Sequence, residues 1–172
     1  MIRIFVVLAM LWPISLSAQD AEPPMTLERM ARIVAALDPD AELTGAGFLL
    51  TIEDIPVLIV TDQAANRMRA MVPIRSAEVM SAQELQRVMQ ANFDSALDAR
   101  YAIAQGRLWG VYLHPLAELQ RDQLISGIAQ TVNVAKSYGT LYSSGAGQFG
   151  GGDSGALQRE LIEDLLERGQ DI

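Results

Sequence analysis

Three strand-like segments follow one another between residues 47 and 72, separated only by short polar turns. Gly47 to Glu53 alternates Phe48, Leu50 and Ile52 against Leu49, Thr51 and Glu53. Glu53-Asp54 turns the chain, and Pro56 to Thr61 follows as a continuously apolar, β-branched run. Such a run predicts a strand buried on both faces. After the polar turn Asp62 to Asn66, Arg67 to Val72 alternates again. Met68, Ala70 and Val72 lie on one side, with Arg67 and Arg69 on the other. Parallel neighbours need a crossover of a dozen or more residues, so strands this close in sequence pair antiparallel.

Helical patterns flank this block. Thr26 caps a helix with Glu28 in its first turn, and Leu27, Met30, Ala31, Val34 and Leu37 recur at helical spacing. Asp38-Pro39-Asp40 stops it, because the residue before proline avoids the α region. Ser81 and Glu84 form a capping box that opens a second helix. Leu85, Val88 and Met89 form its stripe, and Asn92 near its end tolerates a left-handed turn. Arg100 to Ala104 and Arg107 to Leu113 are two further strands joined by a hairpin turn at Gln105-Gly106. Trp109, Val111 and Leu113 share one face, and Leu108 and Tyr112 the other. His114-Pro115 ends that strand, and a long helix from Ala117 to Ser137 stacks Leu124, Ile128, Val132 and Ala135 along one side. Met30 and Met89 occupy positions a core would use.

The order α-β-β-β-α-β-β-α predicts an α+β fold, an antiparallel sheet packed with helices. A stretch rich in glycine and serine follows at 139–155, read as a flexible linker. Residues 156–172 carry a C-terminal helix over Ala156 to Arg168 with Leu157, Leu161, Ile162, Leu165 and Leu166 on one side. Deleting 140–172 is therefore expected to leave a folded core of 26–138.

The start of the chain predicts export. Arg3 precedes the apolar run Ile4 to Trp12, Pro13 breaks it, and Ser15-Leu16-Ser17-Ala18 follows. A basic start, a short apolar stretch and small residues are the parts of a signal peptide. The run is shorter than the ~20 residues of a spanning helix. Residues 1–18 are read as a signal peptide cleaved near Ala18, with cleavage after Ser17 as the alternative, and 19–25 as a polar lead. The mature chain is expected to be periplasmic or secreted, with no stable membrane span.

Composition narrows the chemistry. The formal net charge is −8, which disfavours nucleic-acid binding, since that depends on Lys and Arg against phosphate. There are no cysteines, so thiol chemistry, disulfides and cysteine metal sites are excluded.

Short motifs do not assemble into a site. Gly152-Asp153-Ser154-Gly155 spells a serine-protease nucleophile motif, but a triad is defined by geometry, and Asp153 or Ser154 capping the last helix is the better reading. Gly145-Ala146-Gly147-Gln148-Phe149-Gly150 matches G-x-G-x-x-G without the strand–turn–helix context that gives it meaning. His114, the only histidine, has no carboxylate at helical or hairpin spacing. Asp38 and Asp40 lack the further oxygen ligands of a calcium loop. Arg67 and Arg69 offer an anion site or a solvated face paired with Glu53 across the sheet. No catalytic, cofactor-binding or metal residue is assigned, no cofactor is expected, and the partner-binding surface is not identified.

Residues 26 to 138 resemble the type III secretion chaperone-like fold, shared by secretion chaperones and the YbjN-like family. The features that match are Gly47-Phe48-Leu49-Leu50 opening the first strand, the Asp54-Ile55-Pro56-Val57 hairpin, and Leu85 to Asn92 closing the middle helix. Ala102 to Leu113 around Gly106, then Pro115-Leu116 leading the last helix, complete the pattern. The resemblance implies a non-enzymatic domain, commonly a homodimer, that holds an extended polypeptide. Secretion chaperones are cytoplasmic, whereas this chain carries an export signal, and 139–172 is extra. The expected function is an exported, non-catalytic, chaperone-like protein-binding module of the bacterial envelope. A small-molecule or lipid carrier with an apolar pocket, and an enzyme using His114, are the alternatives.

Overall fold

A computed structural model describes residues 22–94, 97–139 and 154–170. Residues 1–18, read above as a signal peptide, most of the glycine-rich stretch with its G-x-G-x-x-G match, and Gly152 and Asp153 of the protease-like motif lie outside the described residues. The elements are α1 (Leu27–Leu37), β1 (Glu42–Thr44), β2 (Gly47–Ile52), β3 (Ile55–Asp62) and β4 (Arg67–Ser76). Next come α2 (Ala82–Asp94), β5 (Arg100–Ala104), β6 (Arg107–His114), α3 (Arg121–Lys136) and α4 (Ser154–Arg168). The fold is α+β. All six strands form one sheet in the order β1-β2-β3-β4-β6-β5, and every neighbouring pair is antiparallel.

Local chemistry sets the hairpins. Glu53 and Asp54 both have positive φ (48° and 65°), as do Gln105 and Gly106 (51° and 70°). Two left-handed residues in a row make the tight turn whose twist matches that of the strands. β1 adds a strand that the sequence pattern does not predict. It is three exposed residues at the sheet edge, too short to show alternation. β4 runs four residues beyond Val72, through Pro73, with a register shift between Pro73 and Arg75. Proline is tolerated there because β3 pairs only with Arg67 to Met71, so no partner on that side needs its missing N–H.

One face of the sheet is covered by α1 and α3. Phe48, Leu50, Ile52, Val57, Ile59, Met68, Ala70, Val72 and Leu108 all point into this core. α1 contributes Met30, Ile33, Val34 and Leu37. Its end is fixed by Asp38, whose carboxylate accepts the N–H of Asp40 and that of Thr51 in β2. α3 lies close on β6: a Cβ at Gly127 would sit 2.4 Å from the Tyr112 ring, and one at Gly110 would sit 3.0 Å from the Thr131 carbonyl. α4 packs on α3 and α1, burying Leu161 and Leu165. α3 is thus enclosed by the sheet and by α4, and Leu124 through Val134 are buried apart from Ser126. The polar groups drawn in are largely satisfied locally. Gln130 accepts the backbone N–H groups of Asp98 and Ala99 and donates to Ser126 and Asp98.

Several expectations are corrected. β3 is not buried on both faces: Val57, Ile59 and Thr61 are buried, but Pro56 and Val60 are exposed. No helix among the described residues packs on its second side. α3 begins at Arg121 rather than Ala117, because Asn66 accepts the N–H of Ala117 and holds that segment as a turn. Asn92 lies within α2, not in a left-handed turn. Its amide clamps Tyr101 of β5, donating to the carbonyl (3.1 Å) and accepting the N–H (2.7 Å). Met89 is exposed, since α2 rests on β5 through Val88 and Ala91, and Met89 turns away from that contact. Among the described residues no helix is long and apolar enough to cross a membrane.

Candidate functional site

Alternation along a strand sends successive side chains to opposite faces. The register therefore defines what the second face of the sheet presents. One row across it is Leu49–Leu58–Met71–Val111–Arg100, from β2 to β5. The adjacent row is Gly47–Val60–Arg69–Leu113. A third holds Pro73, Trp109 and Ala102. The result is an apolar band four strands wide that no helix among the described residues covers. Leu49 is 39% exposed, Val60 44% and Leu113 55%. Leu58, Met71, Pro73 and Trp109 are half-buried by one another. Isolated exposed apolar residues are ordinary, but a contiguous apolar patch marks an interaction surface.

A second exposed apolar stripe lies on α2. Leu85, Met89 and Phe93 are four residues apart and so share one side of the helix. Met89 is 65% and Phe93 78% exposed.

A cleft of about 490 Å³ opens beside α3 and α4. It is lined by Tyr112, His114, Asp98, Asp122, Gln130 and Leu166, among others. The structure therefore brings His114 into a cleft with two carboxylates, which sequence spacing could not show because Asp98 and Asp122 lie on other elements. His114 is stacked on Tyr112 (ring centroids 6.1 Å apart), and its Nδ1 lies 2.8 Å from the Pro115 carbonyl. The Tyr112 hydroxyl is pushed up to about 12 by burial and by the nearby Asp98 charge. No nucleophile is seen activated by His114 among the described contacts. Among the described residues no group of three or more metal-ligating side chains converges.

The remaining sequence candidates separate. Asp38 and Asp40 form the helix stop described above. Arg67 and Arg69 do share the uncovered face, but Glu53 does not pair with them; it pairs with Lys136 of α3. Arg67 instead donates to the Asn66 carbonyl. Ser154 opens α4. The lowered carboxyls are structural. Glu84 is held down by the Ser81 backbone and hydroxyl of the capping box, Glu118 by the Asn66 amide, and Glu22 by the Arg121 N–H and then Arg29.

No protein-family model matches the sequence, and no curated protein matches it. Solved structures do. A chain of the ExsC–ExsE complex matches with a TM-score of 0.50 at 13% identity, covering 64% of this chain and 90% of that one. A chain of the HopA1–SchA chaperone–effector complex matches with a TM-score of 0.47 at 11% identity, covering 63% and 95%. At 13% identity the likeness to the ExsC–ExsE chain is one of fold alone.

Proposed function

We propose that this protein is an exported, YbjN-like polypeptide-binding module of the bacterial envelope, acting without catalysis. The observation that carries the reading is the apolar band of Leu49, Leu58, Val60, Met71 and Leu113, left uncovered on a well-packed sheet. A side-chain surface of this width suits a polypeptide segment better than a compact ligand. The ExsC–ExsE structure, a complex of two proteins on the same architecture, supports it. The signal-like pattern of residues 1–18 supports work outside the cytoplasm. The reading includes a homodimer, for which the Leu85–Met89–Phe93 stripe is the apolar surface at hand. The carrier alternative has less support, since the cleft beside α3 is lined by two aspartates, a histidine and two glutamines.

Photocrosslinking tests the proposal. A crosslinking side chain at Leu49 or Leu113 should capture a polypeptide in the cell envelope, whereas one at Gln105, in a turn, should not. If the sheet-face positions yield no polypeptide adduct, the reading is wrong. Amino-terminal sequencing of the exported protein should begin near Gln19; an intact Met1 terminus on cytoplasmic protein would remove the export assignment.

A further inference from the structure

The uncovered sheet face is basic although the chain carries a net charge of −8. Parity along β4, β5 and β6 sends Arg67, Arg69, Arg100 and Arg107 to this face. None of the four takes part in the ion pairs among the described residues, which use Arg29, Arg32, Arg75, Arg121, Lys136 and Arg168. Arg69 stands between Val60 and Leu113. Arg107 lies over the Trp109 ring, 5.9 Å from its centroid, and Arg100 donates to the carbonyls of Leu97 and Ala99. Arg67 is the most compensated, with Asp62 opposite it in the register and Glu118 within electrostatic reach. The other carboxylate of this face, Glu42, is at the β1 edge beside Leu49.

Resting on the polypeptide-binding reading, we infer that the occupant of this face is an acidic extended segment running along β6, with an apolar middle that lies on Met71 and Trp109 and carboxylates toward its ends that meet Arg69, Arg100 and Arg107. From the Leu113 row to the Arg107 row is about 20 Å at ~3.3 Å per residue, so the segment is roughly six to eight extended residues long. Arginine suits the role because its planar fork binds carboxylate in two places and stacks on aromatic rings. The acidic remainder of the surface repels the same segment elsewhere, which confines it to this face. An apolar band between the arginines matches an amphipathic peptide better than a phosphate polymer, for which an acidic protein is poorly suited.

The test uses the mature chain and three fluorescent synthetic peptides of roughly eight residues. Each carries the same apolar residues in its middle and Glu, Gln or Lys toward both ends. The Glu peptide should bind about tenfold tighter than the Lys peptide, since two or three exposed pairs each contribute modestly. Raising salt should narrow the gap. The double variant Arg69→Glu with Arg107→Glu, both exposed positions, should keep the parent's circular dichroism and reverse the preference to the Lys peptide. Equal binding of all three peptides would overturn the acidic assignment while leaving polypeptide binding intact. Failure of every peptide to bind the folded parent would remove both. Tighter binding of anionic lipid vesicles or an oligonucleotide than of the Glu peptide would also overturn it.

Discussion

Leu165→Ala tests whether α4 is part of the hydrophobic core or an appendage. Leu165 is fully buried, with 0% of its surface exposed, and belongs to the same apolar cluster as Ile125 and Ile128 of α3. The substitution removes three carbons, about 2.4 kcal/mol at ~0.8 kcal/mol per buried methylene. A cavity term adds to this, because an enclosed site relaxes only in part, and the total for such changes runs about 2–5 kcal/mol. With Gly169 against the Ile125 side chain and Arg168 donating to the Leu37 carbonyl, α4 is tied at its end and cannot easily collapse into the gap. A loss of about 3 kcal/mol is therefore expected. Urea unfolding followed by far-ultraviolet circular dichroism measures it; with a slope of roughly 2 kcal/mol per molar, the midpoint should fall by about 1.5 M. Glu163→Ala, on the exposed side of α4, is the control and should stay within about 0.5 kcal/mol. If Leu165→Ala behaves like Glu163→Ala, α4 is not part of the cooperative core. Truncating 140–172 should, by the same logic, destabilise the remainder by exposing α3, contrary to the folded core expected from the linker pattern alone.

Asn92→Ala should cost about 1–3 kcal/mol by leaving the Tyr101 N–H and carbonyl without their side-chain partner. Hydrogen exchange should show the Tyr101 amide losing protection, and unchanged protection would refute the clamp. Tyr112 supplies a pH-dependent contribution. Its folded value is raised from 10.0 to about 12, so the stability it provides is complete below pH 10 and lost as pH rises through about 12. Between those values the parent should lose up to roughly 2–3 kcal/mol more than Tyr112→Phe. Parallel stability curves for the two proteins across that range would contradict the shift.

Much of the fold is legible in the sequence because it rests on neighbours along the chain. The turn at Gln105-Gly106 takes two left-handed residues, and a glycine in a two-residue gap between strand-like runs marks it as a hairpin. Ser81 and Glu84 cap α2 through groups three residues apart. The alternation of Phe48, Leu50 and Ile52 against Leu49, Thr51 and Glu53 sets which side of β2 meets the helices. The candidate surface is less legible. Pro56 to Thr61 reads as a strand buried on both faces, because an apolar residue under a helix and one awaiting a partner have the same side chain. Met89 reads as core for the same reason.

What the sequence determined alone is the elements other than β1, the antiparallel character of the sheet, the N-terminal caps of α1 and α2 and the absence of cysteine chemistry, all of which follow from residue types, backbone preferences and period. Tertiary structure decided which faces are covered. It placed β6 beside β4, so that Leu113 and Arg69 became neighbours 44 residues apart in the chain, and it returned α4 to α3. Coverage depends on where distant elements pack, and no local pattern records that. The uncovered face, with its band of apolar side chains and its arginines, is therefore a property of the fold, although each residue on it is plain in the sequence.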